Sequence, residues 1–287
     1  MSRSEPVISA PTMPAADVDL IDAAVLQLSG RRITVLTGAG LSTDSGIPDY
    51  RGHGAPRRTP MTFSQFLSDD LLHKRYWAGS HLGWERFATA SPNDGHRALA
   101  RLEASGVVNG IMTQNVDGLH TRAGSQHVVD LHGTMHRVVC LSCGQTFARS
   151  AIAERMTIAN PELAEADALR LGPDGDVDVS RFDQIEVPSC TVCGGMLKPD
   201  IVFFGEFIPP QKFAQASALV RSAEALVIAG SSLVVNSGIR LLDQATRRRI
   251  PVVIVNRGET RGDARATIKI DAGTSQTLSA LADRLSA

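Results

Sequence analysis

The sequence predicts an α/β fold, in which a parallel sheet carries helices on both faces and insertions build a smaller second unit. Three observations predict it. Uninterrupted apolar, β-branched runs stand at Ile33-Thr34-Val35-Leu36-Thr37, Ala225–Ala229 and Val252–Val255, the pattern of strands buried on both faces. Helical periods alternate with them, at about Ser237–Arg248 and Thr274–Ser286 among others. The chain has 287 residues, 43% of them hydrophobic and 21% charged, enough for one large domain or two modest ones around a real core.

The elements follow in order. Residues 1–17 read as a loose tail, with Pro6, Pro11 and Pro14 and no amphipathic period. A helix is predicted from about Asp17 to Leu28, where Ile21, Ala24, Val25 and Leu28 follow the i, i+3, i+4, i+7 spacing and Gly30 is the stop. The strand Ile33–Thr37 feeds directly into Gly38-Ala39-Gly40. About Gly52 to Pro92 has no strand period and reads as a helical insertion holding Trp77 and Trp84. His96–Ser105 reads as a helix capped by Gly106, with Leu99 and Leu102 inward. A strand near Val107–Thr113, a polar loop and a short strand at Val128–Leu131 come next. Arg137–Met196 holds the cysteines and a polar insertion with the turn-rich Gly172-Pro173-Asp174-Gly175-Asp176. No internal repeat or low-complexity segment is visible.

The formal charge is −1, so no strong field is available to hold nucleic acid or an anionic membrane. Arg57–Arg58 and Arg247–Arg249 read as solvated loop or helix ends. No apolar run approaches the roughly 20 residues that span a bilayer, and no signal-peptide core precedes the first helix. A cytoplasmic location is expected.

Four groups of residues carry chemistry. All four cysteines fall in two pairs, Cys140-Leu-Ser-Cys143 and Cys190-Thr-Val-Cys193, each followed by a glycine, Gly144 or Gly194. Two such pairs wrap one tetrahedral Zn²⁺, and four thiolates leave no position for water, so the metal is expected to be structural. Gly38-Ala39-Gly40-Leu41-Ser42 ends a strand; Gly38 allows a sharp turn, Gly40 allows the backbone near a pyrophosphate, and free amides of a following helix would hold the phosphates. Thr43 stands where the third glycine of a dinucleotide fingerprint belongs, so the motif alone reads sooner as a tight turn without ligand. Gly230-Ser231-Ser232 and Asn256 end two further strands, and ligands of open α/β sheets bind beyond such ends; Asn256 is a candidate partner for a ribose. Finally, Thr113-Gln114-Asn115-Val116-Asp117 and Leu131-His132-Gly133 follow apolar runs. Buried amides and a carboxylate there can hold a carboxamide or a ribose, and a histidine at a strand end can be a general base.

Taken together these motifs resemble the sirtuins. Gly46-Ile47-Pro48-Asp49-Tyr50-Arg51 and Phe204-Gly205-Glu206 complete the set, which runs in family order from about residue 30 to 275. Within the family the chain is most similar to the class II branch, with its mitochondrial lipoamidase-type members. Arg75-Tyr76-Trp77-Ala78, Gly172-Pro173-Asp174-Gly175-Asp176-Val177 and Lys198-Pro199-Asp200-Ile201-Val202-Phe203-Phe204-Gly205-Glu206 carry that similarity, as does the long gap between cysteine pairs.

The resemblance implies a Rossmann-like catalytic domain over 18–287. Its core would be about 18–51, 93–136 and 197–287, with a helical insertion at about 52–92 and a zinc-ribbon insertion at about 137–196. It implies NAD as co-substrate, lying on Gly38, Ala39, Gly40 and Ser42 and on Gln114, Gly230, Ser231 and Ser232. The nicotinamide end would meet Ile47, Asp49, Asn115, Val116 and Asp117, with Tyr50 and Arg51 in the closing loop. The adenosine end would meet Asn256, Arg257, Gly258 and Thr274. Acyl-lysine proteins or peptides are the implied partners, held by Val202, Phe203, Phe204, Gly205, Glu206 and Val234; no nucleic acid or membrane is expected. Asn115 and His132 are the implied catalytic residues. The acyl oxygen attacks the ribose carbon as nicotinamide leaves, and His132 then takes a proton from the ribose hydroxyls so that O-acyl-ADP-ribose and free lysine result. The helical insertion holds no Tyr-x-x-Arg pair, which disfavours malonyl and succinyl groups. Mono-ADP-ribosyl transfer and an NAD-sensing module are the alternatives, and a dehydrogenase stands last.

Overall fold

The computed structural model describes residues 15–50, 60–165, 173–174, 176 and 182–286. Residues 1–14 of the predicted 1–17 tail, the site residue Arg51, the Arg57–Arg58 pair, and Gly172, Gly175 and Val177 of the turn-rich loop lie outside the described residues, while residues 15–17, also read as tail, belong to the first helix.

Along the chain, α1 (Ala15–Leu28) leads into β1 (Ile33–Thr37). Next come α2 (Phe63–Ser68), α3 (Asp70–Thr89), α4 (Asp94–Ala104), β2 (Val108–Thr113), the single turn α5 (Leu119–Arg122) and β3 (Val128–Asp130). The cysteine region contributes β4 (Gly133–Cys140), β5 (Thr146–Ala148), α6 (Arg149–Ala159) and β6 (Leu197–Ile201). The chain closes with α7 (Pro210–Ser222), β7 (Ala225–Ala229), α8 (Asn236–Arg247), β8 (Val252–Val255), β9 (Ile268–Ile270) and α9 (Thr274–Leu285). α4 starts two residues before the predicted His96 because Asn93 caps it. The Asn93 side-chain oxygen accepts from the amides of Gly95 at 3.0 Å and His96 at 3.3 Å.

The main sheet is parallel throughout, in the order β3-β2-β1-β7-β8-β9. Its period of two decides which face each residue serves. Val35, Val227, Val253 and Val255 join the cluster under α1, α4 and α9, built on Ile21, Leu28, Leu99, Leu102, Leu278 and Leu281. Leu36, Leu226, Ile228 and Ile254 face the other way, onto Val220 of α7 and Leu241 and Leu242 of α8. Helices therefore cover both faces, as the sequence predicts.

The register sets the site. Asp130 pairs with Thr113, Thr113 with Thr37, Thr37 with Ala229, Ala229 with Val255 and Val255 with Ile270. Each of these residues is the last of its strand, so the loops that follow emerge along one edge. The chain runs outward from β1 through β2 to β3, then returns to β7 on the other side of β1. β1 and β7 thus flank the switch point where open α/β sheets bind ligands.

A second, antiparallel sheet has the order β5-β4-β6. It begins at Gly133 and ends at Ile201, so it draws on chain either side of the predicted 137–196 insertion. Its apolar side packs with α2, α3 and α6 into a third cluster that includes Phe66, Trp77, Met135, Val138, Met156 and Phe203. Arg149 clamps the unit together. It is fully buried, lies 5.1 Å from the Trp77 ring and 5.3 Å from the Trp84 ring, and donates to Ser80 O at 3.0 Å. Among the described residues no helix is long and apolar enough to cross a membrane.

Candidate active site

The loop after β1 differs from the expected helix start. It makes two single 3₁₀ turns, Ala39–Leu41 and Thr43–Ser45. The amide of Gly40 donates to Gly230 O at 2.9 Å, that of Leu41 to Gly38 O at 2.9 Å, and that of Ser42 to Ala39 O at 3.0 Å. These amides are engaged within the protein, so the expectation of free helix-start amides for a phosphate is corrected for them. The glycines serve another contact. A Cβ on Gly38 would lie 2.7 Å from Gly230 O, and one on Gly40 would lie 3.0 Å from Gly230 Cα. The loops after β1 and β7 touch backbone to backbone, and Gly230 completes the contact at φ 67°.

His132 leaves β3 at the same edge. Its backbone oxygen accepts from Val202 N at 2.8 Å, and Gly133 (φ 79°) brings β4 against the Asp200 carbonyl where a Cβ would not fit. The imidazole Nδ1 is 3.0 Å from Gln114 O, and Nε2 is 3.0 Å from Ser237 Oγ. A carbonyl only accepts, so Nδ1 carries the hydrogen and Nε2 of the neutral ring is the basic nitrogen. Burial lowers the His132 pKa below 6.5, and the bond to the Gln114 carbonyl partly offsets that. The neutral, accepting form is therefore favoured.

A second chain of hydrogen bonds lies beside it. Asn115 Nδ2 donates to Gly38 O at 3.1 Å and to Ser42 Oγ at 3.0 Å. Ser42 Oγ donates in turn to Asp117 Oδ2 at 2.7 Å, while Asp117 Oδ1 accepts from Leu119 N at 2.9 Å. Burial raises the Asp117 pKa, opposed by these donors. Asn115, Ser42 and Asp117 are all buried, and they tie the ends of β1 and β2 together.

These groups line one cavity of about 1450 Å³, larger than the roughly 300–1,000 Å³ of an ordinary ligand pocket. Its wall includes Gly38, Ala39, Gly40, Ser42, Ile47, Asp49, Tyr50, Gln114, Asn115, Val116, Asp117, His132, Gly230, Ser231, Ser232, Asn256 and Arg257. A mouth rich in amides and hydroxyls and long enough to run from Asn256 to Asp117 suits a dinucleotide. Gly258 and Thr274 are not on that wall; Thr274 is buried and its Oγ1 donates to Gly40 O at 3.3 Å, supporting the loop from behind.

Val202, Phe203, Phe204, Gly205, Glu206 and Val234 line the same cavity. Phe203 and Phe204 are not equivalent walls. Phe203 is buried with its ring 4.9 Å from Phe66 and 5.0 Å from Tyr76, whereas Phe204 is exposed and 5.9 Å from Tyr50. Glu206 Oε2 accepts from Phe203 N at 2.9 Å and pairs with the buried Lys198 ammonium at 3.0 Å, which shapes the turn through Gly205. Sequence reasoning missed Ser237, Lys198 and Asp174. Asp174 accepts a hydrogen bond from the Tyr50 hydroxyl, and burial pushes its carboxyl up to about 6. Ser237 and Asp174 meet their partners across 105 and 124 residues of chain, so no local spacing announces them, whereas Lys198 and Glu206 are only 8 residues apart.

The cysteines converge at the tip of the small sheet. Cys140 and Cys193 Sγ are 3.5 Å apart, Cys143 and Cys190 Sγ are 3.8 Å apart, and all four sulfurs lie within 4.8 Å of one another. A tetrahedron with Zn–S bonds of about 2.3 Å has edges of about 3.8 Å, so the four could hold a structural zinc ion. Gly144 (φ 75°) and Gly194 (φ 72°) turn each knuckle, and the amides of Val192 and Gly195 point at Cys190 and Cys193 sulfurs from 3.4 Å.

Comparison with known proteins settles the lineage. The model of the Sir2 family matches residues 38–237. The chain belongs to the Sir2 family. It is 52% identical to NAD-dependent protein deacetylase 1 of Mycobacterium avium (strain 104) over 266 residues, covering 91% of this chain and 94% of that protein. It is 43% identical to NAD-dependent protein lipoamidase sirtuin-4, mitochondrial, of Bos taurus, covering 86% and 81%. Among solved structures, a Sir2 enzyme described for its mechanism and regulation superposes with a TM-score of 0.74 at 30% identity, covering 93% of this chain and 98% of the other. A Sir2–p53 peptide–NAD⁺ complex gives 0.70 at 30% identity, covering 92% and 95%. The Sir2 fold thus extends over nearly the whole of this chain.

Proposed function

We propose that this Sir2-family enzyme removes acyl groups from lysine side chains of proteins, with NAD as co-substrate and nicotinamide and O-acyl-ADP-ribose as products. One observation carries the reading: His132 presents a neutral, basic Nε2 to the same cavity that Asn115 and Asp117 line, and its Nδ1–H is anchored on Gln114 O at 3.0 Å. NAD would lie along the edge from Asn256 and Arg257, past Gly38–Gly40 and Gly230–Ser232, to Asn115, Asp117, Ile47 and Asp49, with Tyr50 beside it. Thr274 supports this bed from behind through its bond to Gly40 O, and the exposed Gly258 would stay a contact at the adenosine end. An amide oxygen is a weak nucleophile, so the cavity must press it against the reacting carbon and exclude water. Phe203, Phe204 and Val202 provide apolar surface for the acyl-lysine, and Gly205, Glu206 and Val234 flank its peptide. Asn115 is held rigidly by Gly38 O and Ser42 Oγ and faces the carboxamide end. His132 takes the proton of a ribose hydroxyl on Nε2, which lets that oxygen attack the acyl carbon.

Organisation into a core over about 18–51, 93–136 and 197–287 with insertions at 52–92 and 137–196 is part of this proposal. So is placement in the class II branch, which the 43% identity to bovine sirtuin-4 supports.

Incubation with NAD and a panel of lysine peptides, from acetyl to lipoyl, should release nicotinamide only when peptide is present. His132→Ala should lower product formation by about 10²–10⁴-fold. A His132→Ala protein as active as the parent would refute the assigned base. Isotope label moving from NAD stably onto protein, with none on a small O-acyl product, would refute deacylation in favour of ADP-ribosyl transfer.

A further inference from the structure

We propose that Ser237, at the start of α8, is the positioning residue of the base: its hydroxyl holds His132 Nε2 in place before substrate arrives and receives the imidazolium N–H after proton transfer. The inference rests on the deacylase reading above. Ser237 is only 4% exposed and lies on the cavity wall. Its Oγ is 3.0 Å from His132 Nε2 and 3.3 Å from Gln114 Nε2. Gln114 Oε1 in turn accepts from Ser231 Oγ at 2.6 Å, and Gln114 O accepts from His132 Nδ1.

The direction of each bond follows from the donors available. An amide NH₂ only donates, so Ser237 Oγ accepts from Gln114. Gln114 O only accepts, so Nδ1 carries the imidazole hydrogen and Nε2 carries a lone pair. The Ser237 hydroxyl hydrogen is then left to point at Nε2. One residue, Gln114, thereby orients both edges of the imidazole, through its backbone oxygen at Nδ1 and through Ser237 at Nε2. Gly238 keeps this arrangement close, since a Cβ there would lie 3.3 Å from Gln114 Nε2 and 3.0 Å from Leu233 Cδ2.

A hydroxyl suits this place because it serves both protonation states. Toward neutral Nε2 it donates. When a ribose O–H replaces it and passes its proton to Nε2, the ring becomes a cation with two N–H groups. Gln114 O accepts one of them. Ser237 Oγ, rotated so that its hydrogen points away, accepts the other with its second lone pair. No proton is lost or gained by Ser237 itself. An alanine at this position would leave Nε2 without a partner and Gln114 Nε2 without its acceptor in a water-poor pocket.

The effect falls on one step. Nicotinamide departs before the base acts, so exchange of labelled nicotinamide into NAD reports the first step, and product formation reports the step that needs His132. In Ser237→Ala the ratio of product formation to exchange should fall roughly tenfold, the scale of one hydrogen bond at a reacting group. Ser237→Thr, which keeps the hydroxyl, should restore most of that ratio. A ratio within about twofold of the parent in Ser237→Ala, or a proportional loss of both activities with a lower melting temperature, would overturn the proposal and leave the serine a packing residue. ¹⁵N NMR of histidine-labelled parent enzyme tests the contact without any variant: His132 should carry its hydrogen on Nδ1, and an Nε2–H tautomer would overturn it. A parent inert on every acyl peptide would instead sink the deacylase reading, and the NMR tautomer would still decide the Ser237 contact.

Discussion

Replacing Gly230 by alanine strikes the point where the two halves of the sheet meet. The residue sits at φ 67°, a region that costs a non-glycine residue about 1–2 kcal/mol. The new Cβ would also press on the amide nitrogen of Leu41 and lie 2.6 Å from the carbonyl carbon of Gly40. Both neighbours are backbone, so no side chain can swing aside. Overpacking of that kind costs about 1–3 kcal/mol, which brings the whole to about 2–5 kcal/mol. For a chain of this size each kcal/mol moves the melting temperature by about 2–4 °C, so a fall of roughly 4–20 °C is expected in calorimetry. The loop cannot yield without displacing Gly38–Ser42, so NAD-dependent turnover should fall more than tenfold at a temperature where the variant is still folded. Gly46→Ala is the control. Gly46 also has positive φ, 82°, but a Cβ there meets nothing within 4 Å, so only the backbone cost of about 1–2 kcal/mol applies. A Gly230→Ala protein melting within about 2 °C of the parent, or a Gly46→Ala protein damaged equally, would refute the argument from close approach.

Other perturbations test other parts of the molecule. Cys140→Ser should lose bound zinc by elemental analysis and melt several degrees lower, because a structural metal contributes folding energy; full metal content with unchanged melting would contradict a four-thiolate site. Burial disfavours the His132 imidazolium, so kcat/KM for deacylation should decline on acidification with its midpoint below pH 6.5, and a midpoint above 7 would count against His132 as the titrating base. His96 is fully buried, with its pKa held down near 4 first by desolvation and then by Arg97. The unfolded chain binds its proton from about pH 6.5 downward and the native chain only near 4, so this group withdraws stability as pH falls through that window, by up to about 1.4 kcal/mol per pH unit. Asp117, Asp130 and Asp174, whose pKa values are raised by desolvation, act with the opposite sign. The difference between parent and variant therefore isolates the histidine. His96→Gln keeps the capping pattern with Asn93, so its stability deficit in urea unfolding should be smaller at pH 5 than at pH 7.5; equal deficits would show that His96 does not carry the effect.

Much of this protein is written locally. The runs at Ile33–Thr37, Ala225–Ala229 and Val252–Val255 are continuous because both faces of each strand are buried, and a parallel sheet with helices on either side follows from that alone. Both cysteine pairs declare a metal module because the ligand spacing and the glycine after each pair are short-range features. The family motifs likewise carry Asn115, Asp117 and His132 in readable form. Elements with weaker local signals are a different matter. β9 and β5 have three residues each, too few for a period to show, and β4 owes its pairing to β6, across the whole cysteine insertion.

What only the tertiary structure decided is who stands opposite whom. Gly38 and Gly40 look in sequence like space for a phosphate; in the fold a Cβ on either would meet Gly230. The loop after them looks like a helix start and is two 3₁₀ turns, in which the amides of Gly40, Leu41 and Ser42 are already engaged. Ser237 has no signature of its own, yet it reaches His132 because the aligned ends of β1, β2, β3 and β7 bring their loops to one edge beside the start of α8. Backbone period and ligand spacing act over a few residues and can be read along the chain. Contacts across the switch point depend on strand order and register, which exist only once the chain has closed on itself.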